Sequence, residues 1–172
     1  TTLYVGNDIP SLQPVFYDSY EVGGWATFLK ERVRFEWSLY RMEGLNEIIS
    51  VLQEDGSTEK QNAGKTLHQG IEYSLNVKIG KGLSMRISGT NALHQFTNYV
   101  EAVKGEEVVY SGKSMPQSPG WIMNSQVTYK PSYLKGFRSS IEWQHIDSYF
   151  MEKGNTKVYS GYDVLNFRLG YE

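Results

Sequence analysis

Between Val33 and Tyr40 the chain alternates without a slip. Val33, Phe35, Trp37 and Leu39 are apolar, while Arg34, Glu36, Ser38 and Tyr40 carry polar atoms. Successive side chains of a strand point to opposite faces, so a period of two predicts a sheet with one greasy and one wet side. The alternation recurs and predicts seven strands, over 20–29, 32–51, 66–78, 83–99, 121–130, 137–150 and 161–171. No segment carries a helical period. One face collects Val22, Phe28, Phe35, Trp37, Leu75, Val77, Met85, Ile87, Val127, Ile141, Leu165, Phe167 and Leu169. The other collects Glu21, Arg34, Glu36, Glu72, Arg86, Glu142 and Arg168, with Ser, Thr, Asn and Gln between them. Such a sheet needs apolar matter against one side and water against the other.

The connections alternate too. Short turns fall at 29–32, 79–82 and 131–136, and long polar ones at 53–65, 101–120 and 151–160. This predicts an antiparallel up-and-down meander, trimmed at one end and elaborated at the other, as transmembrane barrels are. A soluble sandwich scatters its loop lengths over both ends. Tyr73, Tyr129, Trp143 and Tyr171 are expected near strand ends, where an interfacial girdle of aromatics would lie. A hairpin closed at 79–82 is expected to bring Glu72 opposite Arg86, and one centred near Asn155 to bring Glu142 close to Arg168.

Composition narrows the classes. With 13 Tyr, 17 Gly and only 5 Pro, the 172 residues favour strands joined by turns. A net charge of −2 and no basic stripe argue against a nucleic-acid partner. The absence of cysteine excludes disulfides and thiolate chemistry, and His68, His94 and His145 have no helical metal-ligand spacing. No apolar run reaches the ~20 residues of a membrane-spanning helix. A mean hydropathy of −0.46 suits a soluble protein and a barrel equally, because alternate barrel residues face a wet lumen.

An enzyme is not expected. His145, Asp147 and Ser148 share one strand, where His145 and Asp147 face the same way and Ser148 the other, so a triad cannot assemble. Glu106 and Glu107 are adjacent in a loop and solvated. The competing reading is a soluble carbohydrate-binding or adhesive β-sandwich using the same aromatics as a sugar platform. A porin is a third candidate.

Several segments carry a family resemblance in order along the chain: Gly6-Asn7 with Leu12-Gln13-Pro14 and Tyr20-Glu21-Val22-Gly23-Gly24, then Tyr40-Arg41-Met42 with Glu47-Ile48-Ile49, then Asn62-Ala63-Gly64-Lys65-Thr66 with Gly70-Ile71-Glu72. Pro119 to Tyr129 and Asn155-Thr156 with Gly161-Tyr162 complete it. Together they resemble the C-terminal barrel region of TonB-dependent outer-membrane receptors, over nearly the whole chain. The resemblance implies an all-β stretch of a 22-stranded transmembrane barrel in a Gram-negative outer membrane, in contact with outer-membrane lipid. Residues 1–172 would be a partial barrel domain, begun without an initiator Met and followed by two further strands. The plug domain and the energy-coupling box would lie outside it. It further implies uptake of a scarce nutrient, a ferric siderophore or similar iron complex, driven by the TonB energy-coupling complex, with no cofactor. On that view Glu21, Arg34, Glu36, Glu72, Arg86, Glu142 and Arg168 face the lumen. The loop at 101–120, flanked by Phe96, Tyr99, Tyr110 and Trp121, offers aromatics that could stack on the ligand.

Overall fold

Alternating side chains place a ladder of backbone hydrogen bonds along each expected strand, and the computed structural model shows that ladder. It describes residues 12–52, 58–103 and 106–172, so the Gly6-Asn7 part of the opening motif and parts of two long connections lie outside the described residues. In chain order the elements are β1 (Phe16–Phe28), β2 (Val33–Leu45), β3 (Ile48–Leu52), β4 (Thr58–Asn62), β5 (Lys65–Gly80), β6 (Leu83–Asn98) and β7 (Val100–Val103). They continue with β8 (Glu106–Val109), β9 (Trp121–Tyr129), β10 (Phe137–Ile146), β11 (Tyr149–Phe150), β12 (Val158–Tyr159) and β13 (Tyr162–Tyr171). Seven of them form one antiparallel sheet in the order β1-β2-β5-β6-β9-β10-β13, an up-and-down meander.

The short turns all sit at one end of this sheet. The β5–β6 turn needs positive φ at Gly80, Lys81 and Gly82, which glycine supplies at two of the three positions. At the opposite end the connections are not plain loops. They hold three further hairpins, β3–β4, β7–β8 and β11–β12.

Two expected strands are shorter than their alternation suggests. The strand expected over 32–51 stops at Leu45, because Asn46 turns the chain with a left-handed φ of 59° and Ile48–Leu52 pairs with Thr58–Asn62 instead. The strand expected over 137–150 stops at Ile146. There the Asp147 carboxylate accepts from the backbone N–H and hydroxyl of Ser148, a local bond that competes with the ladder. Tyr149 and Phe150 then pair with Tyr159 and Val158.

The register sorts the two faces as the alternation predicts. Phe35, Leu75, Ile87 and Ser125 are successive cross-strand partners on the apolar face, and Arg34, Asn76, Arg86, Gln126, Glu142 and Asn166 on the polar one. No second layer covers the apolar face among the described residues. Leu165, Phe167 and Leu169 are 72%, 63% and 64% exposed. A soluble sandwich would bury such side chains, each worth about 1.5–3 kcal/mol, so the sandwich reading fails here. From Ile71 to Ile79 the apolar band on β5 runs nine residues. At ~3.4 Å per residue and a tilt of ~40°, that spans about 20–25 Å, the height of a barrel's hydrocarbon belt.

Beyond Ile71 and Leu39 the same face turns polar. Arg41 pairs with Glu43 at 2.7 Å and reaches Gln69 Oε1 at 3.0 Å. β2, β5 and β6 therefore overshoot the band, which corrects the placement of the girdle aromatics. Tyr129 and Tyr171 do end their strands, but Tyr73 and Trp143 lie inside β5 and β10. Tyr73 lies inside the apolar band, two residues in from its limit at Ile71, and its hydroxyl accepts from Trp121 Nε1 at 3.0 Å.

The buried cluster sits at the hairpin end, where Ile49, Ala63, Phe96, Tyr99, Tyr110 and Met115 pack together. It joins the β3–β4 and β7–β8 hairpins to the top of β6.

Candidate functional site

The polar face of the seven-stranded sheet holds the charged residues singled out from the sequence. Glu21, Arg34, Glu36, Glu72, Arg86, Glu142 and Arg168 all share it by register. Its charge is segregated along the strands. Toward the short turns lie Arg34, Lys78, Arg86 and Arg168, with Glu142 among them. Toward the hairpins lie Glu36, Glu72 and Glu21, and no row of this face from Glu36 up to His94 carries a Lys or Arg, Arg41 being on the opposite face. An open groove of about 680 Å³ runs through the cationic half, lined by Trp25, Arg34, Lys78, Arg86, Gln126 and Lys130. The Arg34 guanidinium lies 5.3 Å from the Trp25 ring and pairs with Glu36 at 2.5 Å.

Of the two expected ion pairs, the structure forms one. Arg168 Nη2 lies 2.8 Å from Glu142 Oε2, and Asn124 Nδ2 donates to the other carboxylate oxygen at 3.1 Å. That Oε2 makes no well-angled hydrogen bond, so the Arg168 contact is Coulombic. Glu72 and Arg86 do not meet. The β5–β6 hairpin sets Glu72 opposite Thr90 and Arg86 opposite Asn76, and Arg86 Nε donates to Asn76 Oδ1 at 3.0 Å. Turning on Lys81, the hairpin pairs residues equidistant from it, and Arg86 is four residues too close to partner Glu72.

The aromatics expected to meet a ligand are otherwise engaged. Phe96 is fully buried, Tyr99 packs on it, and Tyr110 packs on Tyr99 within the cluster. Trp121 lies on the apolar face, its ring 4.5 Å from that of His145. These four do not form one platform, because their spacing places Phe96 and Trp121 on opposite faces. His145 pairs with Asp163 at 2.9 Å and not with Asp147, because the strand opposite β10 presents Asp163 there.

Two clusters at the hairpin end went unseen in the sequence. In one, Lys153 lies over the rings of Tyr99 and Tyr110, at 5.8 and 5.0 Å, and ion-pairs with Glu101. Gln61 from β4 donates to the Tyr99 hydroxyl. Burial, helped by the Glu101 charge, pushes the Tyr99 hydroxyl far up from its ordinary value. Nearby, Lys113 donates to Gly154 O at 2.8 Å and Asn155 bonds the backbone of Ser114 in both directions. All three hairpin connections are thus interlocked.

In the other cluster, one carboxylate oxygen of Glu47 accepts from the Thr66 hydroxyl at 2.6 Å and lies 2.7 Å from His68 Nε2. His68 Nδ1 in turn lies 2.7 Å from His94 Nδ1. His68 and His94 are equidistant from Lys81, and that is the one signal by which the pair could have been found.

The whole of residues 1–172 matches the family model described as TonB dependent receptor-like, beta-barrel. The chain belongs to the TonB-dependent receptor barrel family. Members of this family are transport receptors of the Gram-negative outer membrane, and that is this chain's compartment. No curated protein matches the chain. Among solved structures it is similar to the siderophore receptor PiuA from Acinetobacter baumannii, at 21% identity and a TM-score of 0.69 over 90% of this chain and 22% of that one. It is similar to the ferric yersiniabactin uptake receptor FyuA from Yersinia pestis, at 17% identity and 0.68 over 91% and 22%. The copper transporter OprC is similar at 14% identity and 0.71 over 94% and 24%. These likenesses establish the fold. The chain spans about a quarter or less of each of these structures.

Proposed function

We propose that this chain is a stretch of barrel wall from a receptor that imports a scarce nutrient, a ferric siderophore or similar iron complex, with energy from the TonB complex. One observation carries the reading: a bare apolar face lies back to back with a charged, grooved face. On this reading the apolar band meets lipid. Glu21, Arg34, Glu36, Glu72, Arg86, Glu142 and Arg168 line the water-filled bore, and the interlocked hairpins stand on the extracellular side. Residues 1–172 are then a partial barrel domain, and the plug and the TonB contact come from parts of the protein outside this chain.

The siderophore class rests on the similar receptors PiuA and FyuA, while OprC keeps a copper complex in view. The test is uptake by the full-length protein in cells stripped of their own siderophore receptors. Radiolabelled ferric siderophores of catecholate, hydroxamate and mixed types should accumulate for at least one type, and only with TonB present. Accumulation of copper but of no iron complex would overturn the ligand class. Uptake that ignores TonB would overturn the receptor reading in favour of a passive pore.

A further inference from the structure

Glu47 sits at the corner between β2 and β3, just after the left-handed Asn46, and its side chain reaches back to the barrel wall. There it meets Thr66 and His68 on β5, and His68 meets His94 on β6. Tyr17 from β1 lies close by: a Cβ added at Gly44 would stand 3.0 Å from its ring and 3.2 Å from Glu47 Oε2. Glu47, His68, His94 and Tyr17 are the titratable groups facing one another here among the described residues. The cluster lies above the apolar band, beyond the polar row of Arg41 and Gln69.

The hydrogen-bond roles follow from the contacts. A charged Glu47 can only accept, so His68 Nε2 carries a proton and donates. A neutral His68 then has a bare Nδ1, which accepts from His94 Nδ1–H across 2.7 Å. One extra proton, taken up at His94 Nε2, leaves every bond intact and brings the net charge of the cluster to zero while Glu47 stays ionised. A second proton does not fit. It either sets two N–H groups against each other across the 2.7 Å gap or discharges Glu47.

We propose that Glu47, His68 and His94 form an acid-released latch that pins the β3–β4 hairpin to the barrel wall. Without it the base of the hairpin keeps its own backbone bonds, Asn46 N–H to Gly64 O and Ala63 N–H to Glu47 O, but loses its polar anchor on β5 and β6. The energetics agree in sign. Burial alone pushes the Glu47 carboxyl up, but bonds from His68 and Thr66 outweigh it and hold it below the ordinary range. Burial first, then the repulsion His68 would exert once it too carried a second proton, hold His94 below the ordinary imidazole value, against a smaller opposing pull from Glu47. Both groups bind protons more weakly in the folded cluster than free. The stabilisation is therefore complete above about pH 6.5, the ordinary histidine value, and drains away as pH falls through the depressed values.

The latch uses only the family's barrel and does not depend on which nutrient is carried. Its test is a spin label at Lys60→Cys on β4 of the full-length receptor in nanodiscs, with mobility followed from pH 8 to pH 4. The spectrum should be immobile at neutral pH and sharpen on acidification. His94→Gln keeps a donor toward His68 and can flip to accept, so it never meets the second-proton clash. It should match the native spectrum at pH 8 and move the transition down by at least about one pH unit. A native spectrum unchanged from pH 8 to pH 4, or a His94→Gln titration superimposable on the native one, would overturn the latch.

Discussion

The seven-stranded wall and the hairpin cap above it are made from the same residue types, yet they are stabilised in opposite ways. In the wall Phe35, Leu165 and Phe167 lie bare on one face of a single layer, and the strands hold one another by register and backbone ladder. In the cap Phe96, Tyr99 and Tyr110 turn inward and bury one another. On the proposed reading hydrocarbon solvates the wall's apolar face, so no second layer is needed, whereas the cap stands in water and must build its own core. One chain thus obeys two solvents, with the boundary near Leu39 and Ile71.

The largest effect that separates the two regions is expected from Phe96→Ala. Emptying this fully buried site should cost about 3–5 kcal/mol of cap stability. The cap should become protease-sensitive while the barrel keeps its heat-modifiable migration on gels. Leu75→Arg attacks the wall instead. At the middle of the Ile71–Ile79 band it should cost about 2–4 kcal/mol of folding in bilayers, and the same change at Ile71 only about 0–1. A flat profile between the two positions would erase the boundary.

Within the cap, Lys153→Met leaves Glu101 half-enclosed without its cation. Hydrogen exchange should rise in both 99–113 and 151–157 together, since Lys113 and Asn155 tie those segments. Faster exchange in one segment alone would show that they are not interlocked. Glu152 is a smaller case in the same region. Burial alone pushes its carboxyl up, but backbone N–H groups of Thr156, Gly154 and Lys157 outweigh it and hold it below the ordinary value. The turn should be tight above about pH 4.5 and loosen as pH falls through the depressed value, with Glu152→Gln loose throughout, as read by exchange of the Gly154 and Thr156 amides. The smallest effect is expected at Arg168→Gln in the wall. Its guanidinium is exposed and glutamine keeps a donor toward the enclosed Glu142 carboxylate, so fold and migration should be unchanged.

The same boundary explains what the sequence reveals. Alternation such as Val33 to Tyr40 reports a face in contact with something apolar, and every strand of the wall is legible from it. It says nothing of where the apolar matter ends, so the strand at 32–51 reads as continuous although Asn46 breaks it. Tyr73 likewise reads as a strand end although β5 runs past it on both sides, from Lys65 to Gly80. The cap is nearly silent in the sequence, because its contacts join residues far apart. Gln61 with Tyr99 and Glu101 with Lys153 depend on three hairpins converging. Arg86 and His94 were within reach, since the turn at Lys81 fixes their partners as Asn76 and His68.

The account stands or falls on which solvent touches each face. Among residues 1–172 there is no cysteine to interfere, so single cysteines can be placed along β5 at Ser74, Leu75, Asn76 and Val77 of the full-length receptor in intact outer membrane. A water-soluble maleimide should label positions 74 and 76 and spare 75 and 77, while a lipid-borne quencher reports the reverse. Equal labelling at all four positions, or protection of 75 and 77 from the lipid quencher as well, would contradict it.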